Sequence, residues 1–147
     1  MARRRADAAG LSMVQHVIDG DALPYAPDKL PRKDVCGVDG FVAVDLRVGT
    51  VLAAEPFPQA RKPAYRLRVD FGPVVGVLET SAQITHYPAE TLIGRRVVGA
   101  LNLGEKRIAG FKSEFLVLGA LAPDGRVHLL APDRGPEGGP PDGAPIA

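Results

Sequence analysis

The clearest structural signal in the chain is the alternating run Tyr65-Arg66-Leu67-Arg68-Val69-Asp70-Phe71. Successive side chains of a β-strand point to opposite faces, so the four apolar side chains of this run share one face. Arg66 and Arg68 then lie together on the other face. The run predicts a strand with a buried apolar side and a solvent-facing cationic side.

Runs of similar composition on both sides of this strand predict an all-β domain. The other predicted strands are residues 41–53, 73–78, 95–103, 115–121 and 126–131. Residues 81–93 predict a short helical insertion, and Gly49 indicates a bulge or bend in the first strand. Five strands with a helix between the third and the fourth indicate an OB-fold, a five-stranded Greek-key barrel. The sixth run adds an extra terminal strand.

Cations are concentrated in the two loops through which this fold contacts oligonucleotides. Those loops join strands one and two and strands four and five, and the sheet face between them completes the site. Here they are residues 55–64 and 104–114, and the second loop also carries a hydroxyl, a carboxylate and an aromatic ring, a mixture suited to phosphate, sugar and base. The predicted binding cations are Arg61, Lys62, Lys106, Arg107 and Lys112 in the loops, with Arg66 and Arg68 on the strand.

The length of the chain, 147 residues, suits one compact domain with extended ends. We expect a partly irregular N-terminal extension over residues 1–40, in which residues 11–18 are the one apolar-periodic piece. The OB-fold domain is expected over residues 41–132. The remaining residues, 133–147, form a tail rich in Pro and Gly that we expect to pack on the domain.

The charge balance argues against binding of a nucleic-acid duplex through a broad positive field. Residues 41–132 contain eleven Lys or Arg and eight Asp or Glu, a surplus of three, and the whole chain carries +1. No apolar run approaches the roughly 20 residues that a membrane helix needs, so we expect a cytoplasmic protein without membrane insertion. Cys36 is the single cysteine, which excludes an intrachain disulfide.

Five ordered motifs resemble the CsaA family. Its members are small proteins built on the tRNA-binding domain that is also appended to some methionyl-tRNA synthetases. The resemblance extends from about residue 41 to residue 146. The motifs are Phe41-x-x-x-Asp45-x-Arg47-x-Gly49-Thr50-Val51, Ala60-Arg61-x-Pro63-Ala64, Val69-Asp70-Phe71-Gly72, Ser81-Ala82-Gln83-Ile84-Thr85 and Arg107-Ile108-Ala109-Gly110-Phe111-Lys112-Ser113-Glu114.

This resemblance implies an OB-fold with added terminal strands, a homodimer, tRNA binding and a chaperone-like role in protein export. Glu79 and Glu105 depart from the family pattern and add negative charge beside the implied site. The RNA-contacting positions that the resemblance implies are Ser81, Gln83, Asn102, Arg107, Lys112 and Ser113.

A dimer is also favoured by the predicted sixth strand, which extends beyond the barrel. Its residues Val127, Leu129 and Ala131 share one apolar face. Pairing or packing this strand across a two-fold axis would bury that face and cover an open sheet edge. We therefore expect the sixth strand to lie at the dimer interface.

Several candidate residues also have an ordinary structural interpretation. Loop cations are usually solvated, and outward arginines such as Arg66 also prevent edge-to-edge pairing of strands. Phe111 could anchor its loop in the core instead of stacking on a base, and Ser81 could cap the helical insertion. Asp45 and Arg47 share a strand face, which predicts a structural ion pair.

Two classes of function remain. A tRNA-binding module would use the two loops and lose affinity steeply with salt, whereas a chaperone would bind unfolded polypeptides through an apolar groove with little salt dependence. The clustered cations favour tRNA binding. His16, His86 and His128 lie far apart in the sequence, without further ligand types at metal spacing, so we expect neither an enzyme nor a cofactor or metal site.

Overall fold

The computed structural model of the chain describes residues 26–147, and β-strands dominate it. A 3-10 turn at Pro27–Lys29 precedes three short helices, α1 (Val38–Val42), α2 (Gly72–Val75) and α3 (Ala89–Leu92). The strands are β1 (Leu46–Pro56), β2 (Tyr65–Asp70), β3 (Val77–Ala82), β4 (Arg96–Ala100), β5 (Lys106–Ile108), β6 (Phe111–Ser113), β7 (Leu116–Val117), β8 (Gly119–Leu121) and β9 (Val127–Leu129).

Five of these strands form an antiparallel sheet in the order β3-β2-β1-β4-β7. The sheet curves until its two edges meet beside β3. There the Thr80 hydroxyl donates to the Phe115 carbonyl at 2.6 Å, and the Glu114 N–H donates to the Glu79 carbonyl at 2.8 Å. The result is a nearly closed five-stranded barrel, which confirms the predicted OB-type fold.

The barrel core is arranged around Phe71, whose ring meets the Phe115 ring edge-on at 4.9 Å between centroids. A Cβ on Gly49 or on Gly99 would come within 2.8 Å of the Phe71 ring. Both positions therefore need a residue without a side chain, because the Phe71 ring fills the space beside them. The bulge that Gly49 predicted lies slightly farther along β1, where the register with β2 shifts between Val51 and Ala53.

The C-terminal tail lies along the first part of β1. The Val48 N–H donates to the Ala144 carbonyl at 3.0 Å, and the Val48 carbonyl accepts from the Gly143 N–H at 2.7 Å. The Ile146 N–H adds a bond of 3.0 Å to the Leu46 carbonyl. These backbone bonds satisfy polar groups of β1 at the level of the core.

Three predicted elements were wrong in detail. Phe41 and Val42 lie in helix α1, so the first strand begins at Leu46 instead of residue 41. Residues 73–75 form helix α2, because Pro73 suits a first helical turn and Gly76 ends it with a φ of 81°. Strand β3 then extends through Ser81 and Ala82, so Ser81 does not cap the insertion, and its helix contains only Ala89–Leu92.

The apolar side of the sixth predicted strand is also placed differently from what we expected. Val127 and Leu129 are half-buried and pack against the chain's own core, whereas Ala131, the third residue of that face, is exposed. The reason is that the Leu130 N–H donates to the Leu118 carbonyl at 3.2 Å, which holds this segment beside the end of the barrel. Two strongly exposed apolar side chains lie on α1, where Val38 is 74% and Val42 69% exposed.

Contacts divide the described residues into two compact units, residues 35–120 with 127–147, which contain the barrel, and residues 26–34 with 121–126. In the described part of the second unit, a tight turn is closed by a bond of 2.9 Å from the Gly125 N–H to the Ala122 carbonyl. The predicted apolar piece at residues 11–18, together with His16, lies outside the described residues. Within residues 26–147, no helix is long and apolar enough to cross a membrane.

Candidate nucleic-acid interface

Arg66 lies on the outer face of β2, as its alternating position predicts, and its guanidinium is held beside two aromatic rings. Its Cζ atom lies 5.6 Å from the centroid of Phe57 and 5.8 Å from that of Phe111. The two rings meet edge-on at 5.4 Å. Because Phe57 begins the loop between β1 and β2 and Phe111 begins β6, this one arginine joins both predicted binding loops to the sheet.

The polar surroundings of Arg66 leave part of its guanidinium accessible. Its Nη2 lies 3.5 Å from a carboxylate oxygen of Glu55 on the neighbouring strand, and its side chain is 42% exposed. Ser81 is directly opposite it on β3. The guanidinium is therefore oriented by aromatic packing and by one long ion pair, and it can still bind a ligand that approaches from solvent.

The predicted cationic loop is a β-hairpin rather than an irregular segment. Its turn residues Ala109 and Gly110 have positive φ values of 49° and 83°, the backbone that a tight hairpin turn requires. In β5 and β6, Arg107 is opposite Lys112 and Lys106 is opposite Ser113. Lys106, Arg107 and Lys112 are exposed, so the hairpin presents three cations on a regular scaffold.

The base of the hairpin is fixed to β3 by a buried hydroxyl pair. Thr80 is 1% exposed, and its Oγ1 lies 2.8 Å from the Ser113 Oγ in addition to its bond with the Phe115 carbonyl. The Glu79 N–H donates to a carboxylate oxygen of Glu114 at 2.9 Å. These bonds place the hairpin beside the outer face of β2 and β3.

Two further cations of this surface, like Arg66, have an acidic side chain beside them. Arg68 lies 3.6 Å from Glu79, and Lys112 lies 3.6 Å from Glu105. All four side chains are about half exposed, so solvent screens both ion pairs and each contributes little to folding stability. The negative charge that Glu79 and Glu105 bring beside the site is therefore in direct contact with two of its cations.

We define the RNA face as the outer side of β2 and β3, the loop of residues 57–64 and the β5–β6 hairpin. The structure brings nine of the eleven predicted site residues onto these elements, although the Ser113 hydroxyl is engaged with Thr80. Arg61 is exposed in the loop and Lys62 is half-buried there. The nine residues are Arg61, Lys62, Arg66, Arg68, Ser81, Lys106, Arg107, Lys112 and Ser113.

Asn102 and Gln83 lie outside the RNA face as defined. The Asn102 amide accepts the Asp45 N–H and donates to the Ala43 carbonyl, both at 2.8 Å, so it holds the entry to β1 in place. Gln83 is exposed just after the end of β3. Nearby, the Asp45 carboxylate accepts from the Arg47 Nε at 2.9 Å, which confirms the predicted structural ion pair.

Two residues of this region were missed by the sequence analysis. Phe57 is 4% exposed and supplies one of the two rings beside Arg66, and Thr80 links β3 to the hairpin. A phenylalanine between Pro56 and Pro58 reads as a loop residue, and Thr80 stands in an ordinary strand pattern. Only contacts between residues distant in the sequence reveal the role of either side chain.

Comparison with known proteins assigns the chain to a family. The family model described as "Putative tRNA binding domain" matches residues 46–140. The chain is 38% identical over 124 residues to methionine–tRNA ligase 1 of Sorangium cellulosum, a match that covers 82% of this chain and 16% of that protein. The chain thus spans about a sixth of the length of the curated relatives it matches.

Two solved structures resemble the chain over their whole length. The CsaA chaperone protein of Picrophilus torridus has a TM-score of 0.71 and 41% identity, covering 77% of this chain and all of that one. The chaperone CsaA of Bacillus anthracis has a TM-score of 0.69 and 45% identity, covering 78% of this chain and all of that one. The chain belongs to the tRNA-binding-domain family. Within this family, its architecture is that of the small CsaA-type module.

Proposed function

We propose that the chain binds tRNA through the RNA face and acts in the cytoplasm as a non-catalytic binding module. The observation that carries the proposal is the position of Arg66, whose guanidinium contacts aromatic rings from both loops of the face. A ligand that reaches Arg66 is therefore also within reach of both loops. The family to which the chain belongs supports tRNA as that ligand.

The hairpin gives a second argument for an anionic ligand. Arg107 and Lys112 are directly opposite each other on antiparallel strands, where like charges are destabilising. A phosphate between or beside them would relieve this repulsion. An arrangement that is unfavourable in the free protein and favourable with a bound anion is typical of a binding site.

Binding at this face requires an exchange of ionic partners. Lys112 and Arg68 each have a carboxylate within 3.6 Å, so an RNA phosphate must replace or outweigh Glu105 and Glu79. The favourable free energy of binding then comes more from the release of counterions from the RNA than from the protein's net charge. We expect affinity for tRNA to fall steeply as salt is raised.

Filter binding of bulk tRNA at two salt concentrations tests this proposal. We expect Lys112→Ala and Arg107→Ala each to weaken binding by about 1–2 kcal/mol, the scale of one charge-assisted hydrogen bond. Arg126→Ala is the matched control, because Arg126 is an exposed arginine that is not part of the RNA face. Unchanged tRNA affinity in a well-folded Arg107→Ala/Lys112→Ala double variant would remove the hairpin from the site.

A second candidate function rests on the exposed apolar side chains near α1. Val35 is 95%, Val38 74% and Val42 69% exposed. Such a group suits contact with another protein surface, either a second copy of the chain in a homodimer or an unfolded polypeptide. Capture of an unfolded polypeptide that is insensitive to salt and is lost in Val38→Glu would favour a chaperone activity over a purely dimeric role.

A further inference from the structure

An open cavity of about 410 Å³ lies where α3 leads into β4, at the opposite end of β4 from the hairpin. Three arginines line it, Arg95 and Arg96 from the start of β4 and Arg134 from the C-terminal tail. No acidic side chain lines it. Its volume is within the range of pockets that hold small ligands.

Arg96 is the fixed member of the three arginines. Its Nη2 donates to the Pro140 carbonyl at 2.7 Å and lies 3.4 Å from the Asp142 carboxylate, and its side chain is 15% exposed. The same Asp142 oxygen accepts the Thr50 hydroxyl at 2.7 Å. Arg96 therefore shares its counter-charge, the Asp142 carboxylate, with Thr50, and its buried Nε has no hydrogen-bond partner among the described residues.

Arg95 and Arg134 have no carboxylate within ion-pair distance in the part of the chain that the structure describes. Arg95 is held instead by Tyr87, with its Cζ 4.9 Å from the ring centroid. A guanidinium over an aromatic face is oriented while its N–H donors at the edge stay available. Arg134 is exposed beside the cavity.

Arg96 resembles Arg66, Arg68 and Lys112 of the RNA face in having a neighbouring carboxylate, whereas Arg95 and Arg134 have none among the described residues. Two guanidinium groups without an acidic partner among the described residues, those of Arg95 and Arg134, therefore line the same cavity. We propose that the cavity is a second, separate anion site that binds a phosphate group through Arg95 and Arg134, with Arg96 as its positively charged floor. Planar guanidinium groups suit this ligand because their paired N–H donors match the spacing of phosphate oxygens.

Two sources of phosphate have the chemistry that this site recognises. One is a backbone phosphate of an RNA already bound at the RNA face, and the other is a small free compound that carries a phosphate or a diphosphate. Both present two or more oxygens to converging guanidinium groups. The cavity is large enough for a diphosphate, so inorganic pyrophosphate is a suitable probe for either source.

Isothermal titration of the full chain with inorganic pyrophosphate, at constant ionic strength, tests the site. We expect saturable binding that Arg95→Gln and Arg134→Gln each weaken at least about fivefold, the effect of losing one charge-assisted contact. Arg126→Gln, which changes an arginine that does not line the cavity, should leave the dissociation constant within about twofold of wild type. Arg134→Gln changes an exposed tail residue, so it carries little risk to folding.

The proposal is overturned if wild type binds no pyrophosphate at millimolar concentration, or if Arg95→Gln and Arg134→Gln bind it as well as the control. A competition arm separates the two sources. If tRNA displaces pyrophosphate and Arg134→Gln weakens tRNA binding, the site accepts RNA backbone phosphate. If tRNA leaves pyrophosphate binding unchanged, the site serves a free phosphate compound. The pyrophosphate result does not depend on tRNA binding, so each proposal can fail without the other.

Discussion

Arg66 shows how a single residue acquires its role from three different parts of the chain. Its outward direction follows from the alternation of β2, and its partner Glu55 follows from the register with β1. The rings of Phe57 and Phe111 then come from two loops that are more than fifty residues apart. The guanidinium is oriented before any ligand arrives, which lowers the entropic cost of ordering this side chain on binding.

The acidic residues beside the cations of the RNA face lead to a prediction at the scale of single residues. Glu105→Gln removes the carboxylate that lies 3.6 Å from Lys112 and keeps the shape of the side chain. Because Lys112 would no longer exchange one anion for another, we expect tRNA to bind more tightly by about 0.5–1 kcal/mol at low salt. Filter binding measures this effect.

The control for Glu105→Gln is Glu90→Gln, a change of an exposed carboxylate on α3. The two variants should differ at low salt and converge as salt screens the ion pair. Weaker binding in Glu105→Gln would mean that the carboxylate positions Lys112 for RNA instead of competing with it.

At the scale of elements, the β5–β6 hairpin depends on the point where it meets β3. Thr80 is buried, and its hydroxyl bonds both the Ser113 hydroxyl and the Phe115 carbonyl. The same contacts close the barrel, so the binding element and the fold share one attachment. A change at Thr80 should therefore affect stability and RNA binding together.

Thr80→Val tests this coupling, because it removes the hydroxyl and keeps the volume. We expect the free energy of unfolding to fall by about 1–3 kcal/mol, since the Phe115 carbonyl and the Ser113 hydroxyl lose their buried partner. Urea denaturation measures the loss. Thr85→Val, at an exposed position, is the control and should change stability by less than about 0.5 kcal/mol. Equal stability of the two variants would show that the hydroxyl pair does not hold the barrel closed.

At the scale of the whole molecule, the C-terminal tail completes the barrel unit by pairing with β1. Gly143 lies close to the barrel, where an added Cβ would meet the Phe71 carbonyl oxygen at 2.7 Å. Its φ is also positive, 90°, a value that disfavours any other residue. Steric fit and backbone geometry therefore both favour a single register of the tail against β1.

Gly143→Ala and Gly138→Ala separate these two effects. Both glycines have φ near 90°, but a Cβ on Gly138 meets nothing within 4 Å. We expect Gly138→Ala to cost about 1–2 kcal/mol through backbone strain alone. Gly143→Ala should destabilise the protein further, because the Phe71 backbone cannot move aside. Thermal unfolding of the two variants gives the difference, and equal melting temperatures would mean that the tail is not packed against Phe71 in solution.

Assembly is the other prediction at this scale. We expect a homodimer that buries the exposed side of α1, and light scattering at micromolar concentration should report twice the chain mass. Val38→Glu should shift the protein to a monomer, because it places a charge on a buried apolar surface. Val74→Glu, at an 87% exposed valine on α2, should leave the dimer intact. A monomeric wild type would contradict the proposal.

The sequence was sufficient for the type of fold and for the general position of the candidate site. The alternation of residues 65–71 predicts an inward and an outward face, and this local period does not depend on the rest of the chain. The order of five strands then indicates the barrel and its two cationic loops. Eight of the eleven predicted residues lie on the RNA face for these reasons, because six belong to the two loops and Arg66 and Arg68 follow from the alternation of β2.

Tertiary structure alone decided which side chains meet. Asn102, a predicted binding residue, joins the Asp45 and Ala43 backbones, a contact across nearly sixty residues. Phe41 and Val42 have strand-forming composition but lie in α1, because β-propensity is a weak preference that depends on context. The aromatic partners of Arg66 and the arginine cavity likewise arise only when distant segments converge. Alternation and chain order can be read directly from the sequence, whereas contacts between distant residues exist only in the folded chain.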